Sequence, residues 1–255
     1  MNKVIKYVVY DIIRNRFVMS YTLLLLFISI SFFGFESDPN KGLLSLLNII
    51  LMVVPLVSII FSTIHFYNSY EFLELLSAQP ISRKTIFFSQ YFGVAISLGL
   101  AFLLGVGLPT YIFEGSIRGL ILVTSGLFLT LIFVSLAFFA SVITRDKAKG
   151  IGIALALWFY FSLVYDGIIL SILLTFSDYP LEKAALIFTA LNPTDLARIV
   201  VLMKLDISAL MGVTGAIFQN FFSSNTGLLI AISLLTLWVV APIKIAFNMF
   251  NKKDL

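Results

Sequence analysis

Long apolar runs without a charged residue constrain the fold of this chain more than any other feature. Two examples are residues 21–31 and 120–142. A membrane β-barrel strand would instead alternate apolar and polar residues over about ten positions. Continuous runs of this kind are typical of helices that cross the hydrocarbon core, which takes about 20 residues. The sequence therefore predicts an all-α, polytopic membrane protein.

The composition excludes several classes of function. Of the 255 residues, 60% are apolar and only 12% are charged, against about 25% charged in soluble domains. Such a chain has too little polar surface for a soluble enzyme and is too hydrophobic for disorder. At about 20 residues per span plus loops, it has room for six helices and for no large soluble domain. An energy source or a catalytic domain must then be another chain.

The predicted spans are residues 17–35, 43–67, 87–113, 119–143, 150–176 and 227–247. Residues 1–16 come before them, with Lys3, Lys6 and Arg14 on one helical side and Val8 and Ile12 on the other. This pattern favours an amphipathic helix in the membrane interface over a plain basic tail. It lacks a small-residue cleavage site, so it is not a signal peptide. We expect residues 1–255 to form one transmembrane domain.

The distribution of lysine and arginine predicts the orientation. With the N-terminus inside, twelve of these residues lie on the inner side and five on the outer side. Positive residues accumulate in cytoplasmic loops. Both termini are therefore expected to be cytoplasmic. The protein itself is expected in the inner membrane.

The cytoplasmic connection at residues 70–90 is too long to be a turn. It interleaves acidic and apolar side chains, namely Glu71, Glu74, Leu75 and Leu76. This spacing predicts a short amphipathic helix that Pro80 ends, with Ser82 as the cap of the next helix. A helix across the membrane face suits docking into a groove of a partner. The alternative is an interfacial hairpin without a partner.

The string LLSAQPISRKTIFFSQ resembles the segment between the second and third helices of ABC-2-type permeases. In that family, Leu-Leu, a polar pair, Pro, a small or β-branched residue, Ser and Arg mark the coupling helix that engages the ATPase. The matching residues are Leu75, Leu76, Ser77, Pro80, Ser82 and Arg83. The resemblance covers essentially the whole chain. It implies that residues 70–84, with Glu71 and Glu74, bind a separate ATPase.

The external connection at residues 177–226 contains two apolar stretches too short to span, 186–191 and 199–205. They indicate helices half-sunk in the outer interface or packed on the spans. Between them, Asn192 or Thr194 is placed to cap a helix, with Arg198 one turn further on. The plain structural interpretation is a loop-to-helix corner.

A similar Asn-Pro-x-Asp-x-x-Arg stretch precedes the last span of NosY-type permeases, ABC-2 proteins that serve nitrous oxide reductase maturation. The counterparts here are Asn192, Pro193, Asp195 and Arg198. The resemblance implies that these four residues face a periplasmic partner, which would be a binding or assembly protein.

Asp166 lies well inside the fifth predicted span, where an acidic residue costs about 2.5–3.5 kcal/mol. Its carboxylate needs Tyr165, Tyr160, another helix or water as a partner. NosY-type permeases look similar here, with an aromatic run, matched by Trp158, Phe159 and Tyr160, before an Asp. One interpretation is that Asp166, with Tyr165, lines or gates a transport pathway. The other is a structural hydrogen bond between helices, which could cross a dimer interface.

The residues for other chemistry are missing from the sequence. It has no cysteine, one histidine (His65) and no G-x-x-x-x-G-K-[ST] motif, so we expect no metal site, no ATP site and no catalytic residue in this chain. By resemblance, a second copy of the chain and two copies of a cytoplasmic ATPase are its partners. That ATPase would bind ATP and Mg. The lipid membrane surrounds the permease chain, and nucleic acid is not expected as a partner.

The leading prediction is the permease subunit of an ATP-driven transporter that exports or delivers a cargo to the periplasm. The NosY-type resemblance implies copper-site maturation of nitrous oxide reductase. A sulfur species is favoured over copper as the cargo, because clustered soft ligands are missing. One alternative is a membrane anchor that passes ATPase work to a periplasmic protein without transport. Another is export of a different small molecule or a lipid, and an intramembrane enzyme is disfavoured.

Overall fold

The computed structural model describes residues 2–36, 38–70, 72, 75, 81–176, 182–205 and 225–252. Every regular element in these ranges is helical, and six of the helices are long and apolar enough to cross a membrane. The predicted all-α, six-span fold is confirmed. In chain order, the helices are α1 (Asn2–Ile13), α2 (Arg16–Phe35), α3 (Pro39–Asn68), α4 (Arg83–Phe113), α5 (Ile117–Ile143), α6 (Lys147–Thr175), α7 (Glu182–Ala190), α8 (Pro193–Lys204) and α9 (Asn225–Lys252).

The candidate spans are α2 to α6 and α9, and each coincides with a predicted one to within a few residues. Two of them contain a π-helical stretch of five residues, Leu103–Gly107 in α4 and Tyr160–Val164 in α6. A π-helical turn widens the helix by one residue and is common at functional sites. The stretch in α6 belongs to the candidate site described below.

Short polar side chains begin several of the helices, as the sequence predicts. The Ser82 hydroxyl accepts a hydrogen bond from the Thr85 backbone N–H at 3.3 Å, so the predicted cap of α4 is confirmed. Asn15 caps α2 in the same way, through the Phe17 N–H at 2.9 Å. Caps of this kind satisfy backbone donors that a helix end leaves unpaired, and they act locally in sequence.

Helix α5 is the centre of the protein and contacts α3, α4, α6, α8 and α9. In its most apolar 18 residues, 72% of the positions are buried, against 17% in α6 and 22% in α2 and α9. The three outer spans therefore present most of their apolar surface to lipid or to another membrane-embedded chain.

The N-terminal helix α1 is present, and its apolar face packs on α4. Val8 and Ile12 are buried, whereas Tyr7 and Tyr10 are exposed. The contact is close because Gly93 of α4 leaves room for Val8, and a Cβ at Gly93 would overlap that side chain. The amphipathic pattern therefore reflects packing on the bundle as well as an exposed polar side.

Candidate functional site

The hairpin formed by α7 and α8 joins span α6 at the π-helical turn of α6. The backbone oxygen of Phe161 accepts hydrogen bonds from Asn192 Nδ2 at 3.0 Å and from Thr194 Oγ1 at 2.7 Å. Asn192 also caps α8, because its Oδ1 accepts the Thr194 backbone N–H at 3.1 Å. Both side chains are buried. One asparagine thus begins α8 and fixes it to α6.

The hairpin itself consists of α7 and α8, which meet at an angle of 113°. A bend of this size leaves backbone carbonyls without helical partners, which is costly in an apolar environment. The Tyr165 hydroxyl donates to the Phe188 oxygen at 2.7 Å, and Trp238 Nε1 donates to the Ala190 oxygen at 3.1 Å. Aromatic side chains of α6 and α9 therefore satisfy the carbonyl end of α7.

Arg198 of α8 bridges two carboxylates. One guanidinium nitrogen lies 2.9 Å from Asp166 Oδ2 on α6, and the other lies 3.0 Å from Asp195 Oδ1 on its own helix. The side chains of Arg198 and Asp166 are about one-third exposed, at 35% and 33%. Asn192 Nδ2 adds a hydrogen bond to Asp195 Oδ2 at 3.0 Å. The cluster thus brings two carboxyl groups to one guanidinium group.

The structure answers the question of what partners Asp166. Of the candidates the sequence offered, another helix is the one found, through Arg198. Tyr165, its neighbour in sequence, instead binds the hairpin backbone. Asn192 is confirmed as the cap of α8, and the two short apolar segments lie in helices α7 and α8; the second is buried on the spans, whereas Ile187 and Leu191 of the first are exposed. Asn192 and Pro193 lie inside the protein, whereas Arg198 is partly exposed.

The sequence pattern does not identify three members of the site, Thr194, Phe161 and Trp238. The sequence marks Thr194 only as a possible cap. Phe161 is bound through its backbone oxygen. Trp238 lies 48 residues from the carbonyl that it binds. The ring of Trp238 also stands edge-on to that of Phe161, with centroids 5.2 Å apart. A tryptophan in a long apolar span was the one available signal.

Three buried polar atoms form a row along α6. Trp158 Nε1, Ser162 Oγ and Asp166 Oδ1 have no hydrogen-bond partner in the described part of the chain. They recur at every fourth residue, which brings them to one side of a helix. Buried polar atoms are nearly always paired in native proteins, by protein, water or ligand. This row is therefore suited to meet a further polar group.

The segment predicted to couple to an ATPase is described only at Tyr70, Phe72, Leu75 and residues 81–84. The rings of Phe72 and Tyr7 are 5.9 Å apart, and Leu75 is exposed. One guanidinium nitrogen of Arg83 donates to the Asn251 backbone oxygen of α9 at 3.2 Å. The other predicted coupling residues, Glu71, Glu74, Leu76, Ser77 and Pro80, lie outside the described residues.

The end of α3, from which this segment departs, is attached to the beginning of α6. The Tyr67 hydroxyl lies 3.2 Å from the Ser141 oxygen and 3.0 Å from the Thr144 oxygen, at the end of α5. It occupies the space that Gly150 of α6 leaves open, and a Cβ there would overlap it. Next to it, Lys147 Nζ donates to Asn68 Oδ1 at 2.8 Å.

Among the described residues, no group of three or more histidine, aspartate or glutamate side chains is close enough to hold a metal ion. His65 instead lies 3.3 Å from the Gln90 side-chain oxygen, near the end of α3. The site at α6 and α8 is an assembly of ion pairs and of hydrogen bonds to backbone oxygens.

Among the described residues, the architecture is that of a multi-span membrane domain, with six candidate spans and a bent hairpin of α7 and α8 packed beside them. Residues 4–255 match the model of the ABC-2 family transporter proteins, and the chain belongs to this family. Membership implies a membrane transport subunit that works as a dimer with a separate ATPase.

Two curated relatives are similar along almost their entire length. One is a probable ABC transporter permease protein, NosY, of Pseudomonas aeruginosa, 27% identical over 96% of this chain and 95% of its own. The other carries the same description in Stutzerimonas stutzeri and is 26% identical over 95% of both chains. The resemblance to NosY-type permeases is thus confirmed at low identity.

Proposed function

We propose that this chain is the permease of a transporter that delivers a sulfur species to the periplasm for copper-site maturation of nitrous oxide reductase. The similarity to two proteins named NosY supports this assignment. Clustered soft ligands are missing from the chain, which favours sulfur over copper as the cargo. The anchor that acts on a periplasmic partner without transport remains the second candidate. It needs the coupling segment but not Asp166.

The observation that carries the mechanism is the attachment of the external hairpin to α6. The hairpin is held by the Phe161 carbonyl at one point and by the pair of Asp166 and Arg198 at another. Both contacts are made to a single span that is largely unburied in the protomer. A tilt of α6 would therefore pull on the hairpin at these two points, against the packing of α8 on α5 and the bond from Trp238 of α9 to α7. In our proposal the hairpin is the outer gate, and Asp166 and Tyr165 hold it closed.

The unpartnered polar atoms of α6 support a pathway beside the gate. Trp158, Ser162 and Asp166 offer two donors and a carboxylate oxygen along the span. A polar or hydrated cargo that passes α6 would use such groups in place of water. Export of a lipid would require a less polar row, so this feature favours a small polar cargo.

Motion at the ATPase would reach α6 through the end of α3. Residues 70–84 form the proposed docking segment, and Tyr67 precedes it by one helical turn. Because Tyr67 is wedged against Gly150 and bonded to the end of α5, displacement of α3 is transferred to α6 at its first turn. The proposed order of events is docking, displacement of α3, tilting of α6 and opening of the hairpin.

The contact with a periplasmic partner is a separate part of the proposal. Asn192 and Pro193 are buried, so they would act by setting the position of the hairpin. Arg198 and Asp195 are the members of the motif with accessible surface. The orientation that puts this hairpin outside, with both termini in the cytoplasm, is supported by the twelve inner against five outer basic residues.

The function is tested by deleting the gene for this chain in its own host. We expect nitrous oxide reductase isolated from the deletion strain to have lost most of its copper, and a plasmid copy to restore it. Copper per enzyme is measured directly by elemental analysis. Normal copper content, or a host that makes no such enzyme, would contradict the assignment to maturation while leaving ATPase coupling open.

The coupling segment is tested by Arg83→Glu. Charge reversal at a docking surface should reduce ATPase recovered with the purified permease by about tenfold, a loss of about 1.4 kcal/mol. Since Arg83 also binds the Asn251 carbonyl, thermal unfolding is measured in parallel to detect simple destabilisation. Lys149→Glu, at an exposed position in the first turn of α6 on the same membrane face, is the matched control. Equal ATPase recovery by both variants would refute the docking role.

A further inference from the structure

An apolar groove lies between α4 and α9, on the outer surface of the bundle. It encloses about 590 Å³, with the aromatic rings of α4 on one wall and the aliphatic side chains of α9 on the other. Residues that line it include Phe88, Phe92, Ala95, Val240, Ile243 and Lys244. The rings of Phe88 and Phe247, 5.3 Å apart, meet across the groove near the beginning of α4.

Lys244 is the one charged residue among those that line the groove. It is exposed, and it has no hydrogen bond or ion pair with the described residues. The 28 residues of α9 span about 42 Å, about 12 Å more than the hydrocarbon core, so a centred helix puts Lys244 about 6 Å inside the edge of the core. From that depth a lysine extends its ammonium to the headgroup level.

The groove runs along α4 and α9 toward the membrane surface where α4 begins and α9 ends, and the rings of Phe88 and Phe247 meet across it near that end. These two ends meet there, because Arg83 donates to the Asn251 carbonyl. The positive-inside pattern predicts this face to be cytoplasmic. An apolar trough that leads to a lysine at the headgroup level matches an acyl chain that leads to a phosphate.

We propose that the groove binds an anionic phospholipid of this leaflet, with one acyl chain between α4 and α9 and its phosphate beside Lys244. Basic pockets between transmembrane helices on the cytoplasmic side are known to select anionic headgroups. One acyl chain fits a groove of about 590 Å³ along its length, whereas a helix, with a diameter of about 10 Å, would insert only side chains into it. A water-soluble anion would leave the apolar walls unfilled.

The test is native mass spectrometry of the purified protein with added phosphatidylglycerol or phosphatidylcholine of the same chain length. The wild type should retain phosphatidylglycerol preferentially, and Lys244→Gln should reduce that retention about fivefold. Lys149→Gln removes the same charge at the start of α6 and should retain the lipid as the wild type does. Val240→Trp keeps the lysine, fills the groove and should reduce retention of both lipids.

Three outcomes would overturn the proposal. One is equal retention of phosphatidylglycerol by the wild type and Lys244→Gln, and another is undiminished retention of both lipids by Val240→Trp. The third is displacement of the bound lipid by inorganic phosphate at millimolar concentration, which would identify a site for free anions. If Lys244→Gln cannot be purified, Lys244→Arg is measured instead and must keep the preference for phosphatidylglycerol. The Val240→Trp result then decides whether the groove holds the lipid. The result is independent of the cargo and of the ATPase.

Discussion

Asn192→Ala is expected to destabilise the purified protein by about 3 kcal/mol, seen as a lower midpoint of thermal unfolding. The substitution removes the cap of α8, which alone is worth about 0.5–2 kcal/mol. It also withdraws one of the two donors from the Phe161 carbonyl and one from Asp195. Buried groups that lose a hydrogen-bond partner cost about 1–3 kcal/mol. The hairpin should therefore detach from α6 before the rest of the bundle unfolds.

The matched control is Asn15→Ala. Asn15 is also an asparagine cap, at the start of α2, but it is exposed, and among the described residues its side chain makes just the capping bond to Phe17. Its replacement should cost about 0.5–1 kcal/mol. Equal shifts for the two variants would show that the contact between Asn192 and α6 contributes nothing beyond the cap. Proteolysis within the hairpin, expected to be faster only in Asn192→Ala, gives a second measure.

Arg198→Met is expected to abolish transport in reconstituted vesicles and to lower stability more than Asp166→Asn. Without Arg198, Asp166 and Asp195 lose the cation between them, and removal of one partner from a buried pair costs about 3–5 kcal/mol. The partial exposure of these side chains brings the expected value to about 2 kcal/mol. Asp166→Asn leaves Arg198 paired with Asp195, so expression should be normal while transport falls.

A double-mutant cycle separates gating from simple stability. Arg198→Met combined with Asp166→Asn removes one carboxylate together with the cation, so part of the lost stability should return. Transport should stay low, because the gate contact is still missing. Full transport activity of Asp166→Asn would instead assign Asp166 a structural role. Full activity of Arg198→Met would contradict the hairpin as the gate.

The family relation and the geometry contribute different parts of this account. Membership in the ABC-2 family identifies a permease subunit. It does not explain why a single asparagine begins α8 and also binds α6. That arrangement follows from two needs of backbone in an apolar setting. The bend between α7 and α8 needs donors for its carbonyls, and the widened turn of α6 offers a carbonyl that needs donors.

The sequence by itself determined the features that depend on local chemistry. The spans follow from apolar length, because each helix satisfies its own backbone inside the membrane. The caps at Ser82 and Asn192 follow from side chains two or three residues from the donors they bind. The sequence also predicts that Asp166 needs a partner, since an isolated carboxylate at that depth is costly.

Only the tertiary structure decided which distant groups meet. Asp166 and Arg198 are 32 residues apart, and Trp238 and Ala190 are 48 apart. No local pattern encodes such pairs, because several polar and aromatic side chains satisfy the same local rules. The groove between α4 and α9 likewise exists only after these spans pack side by side. Hydrophobicity places a helix in the membrane, whereas the choice among its possible neighbours depends on the fit of specific side chains and backbone groups.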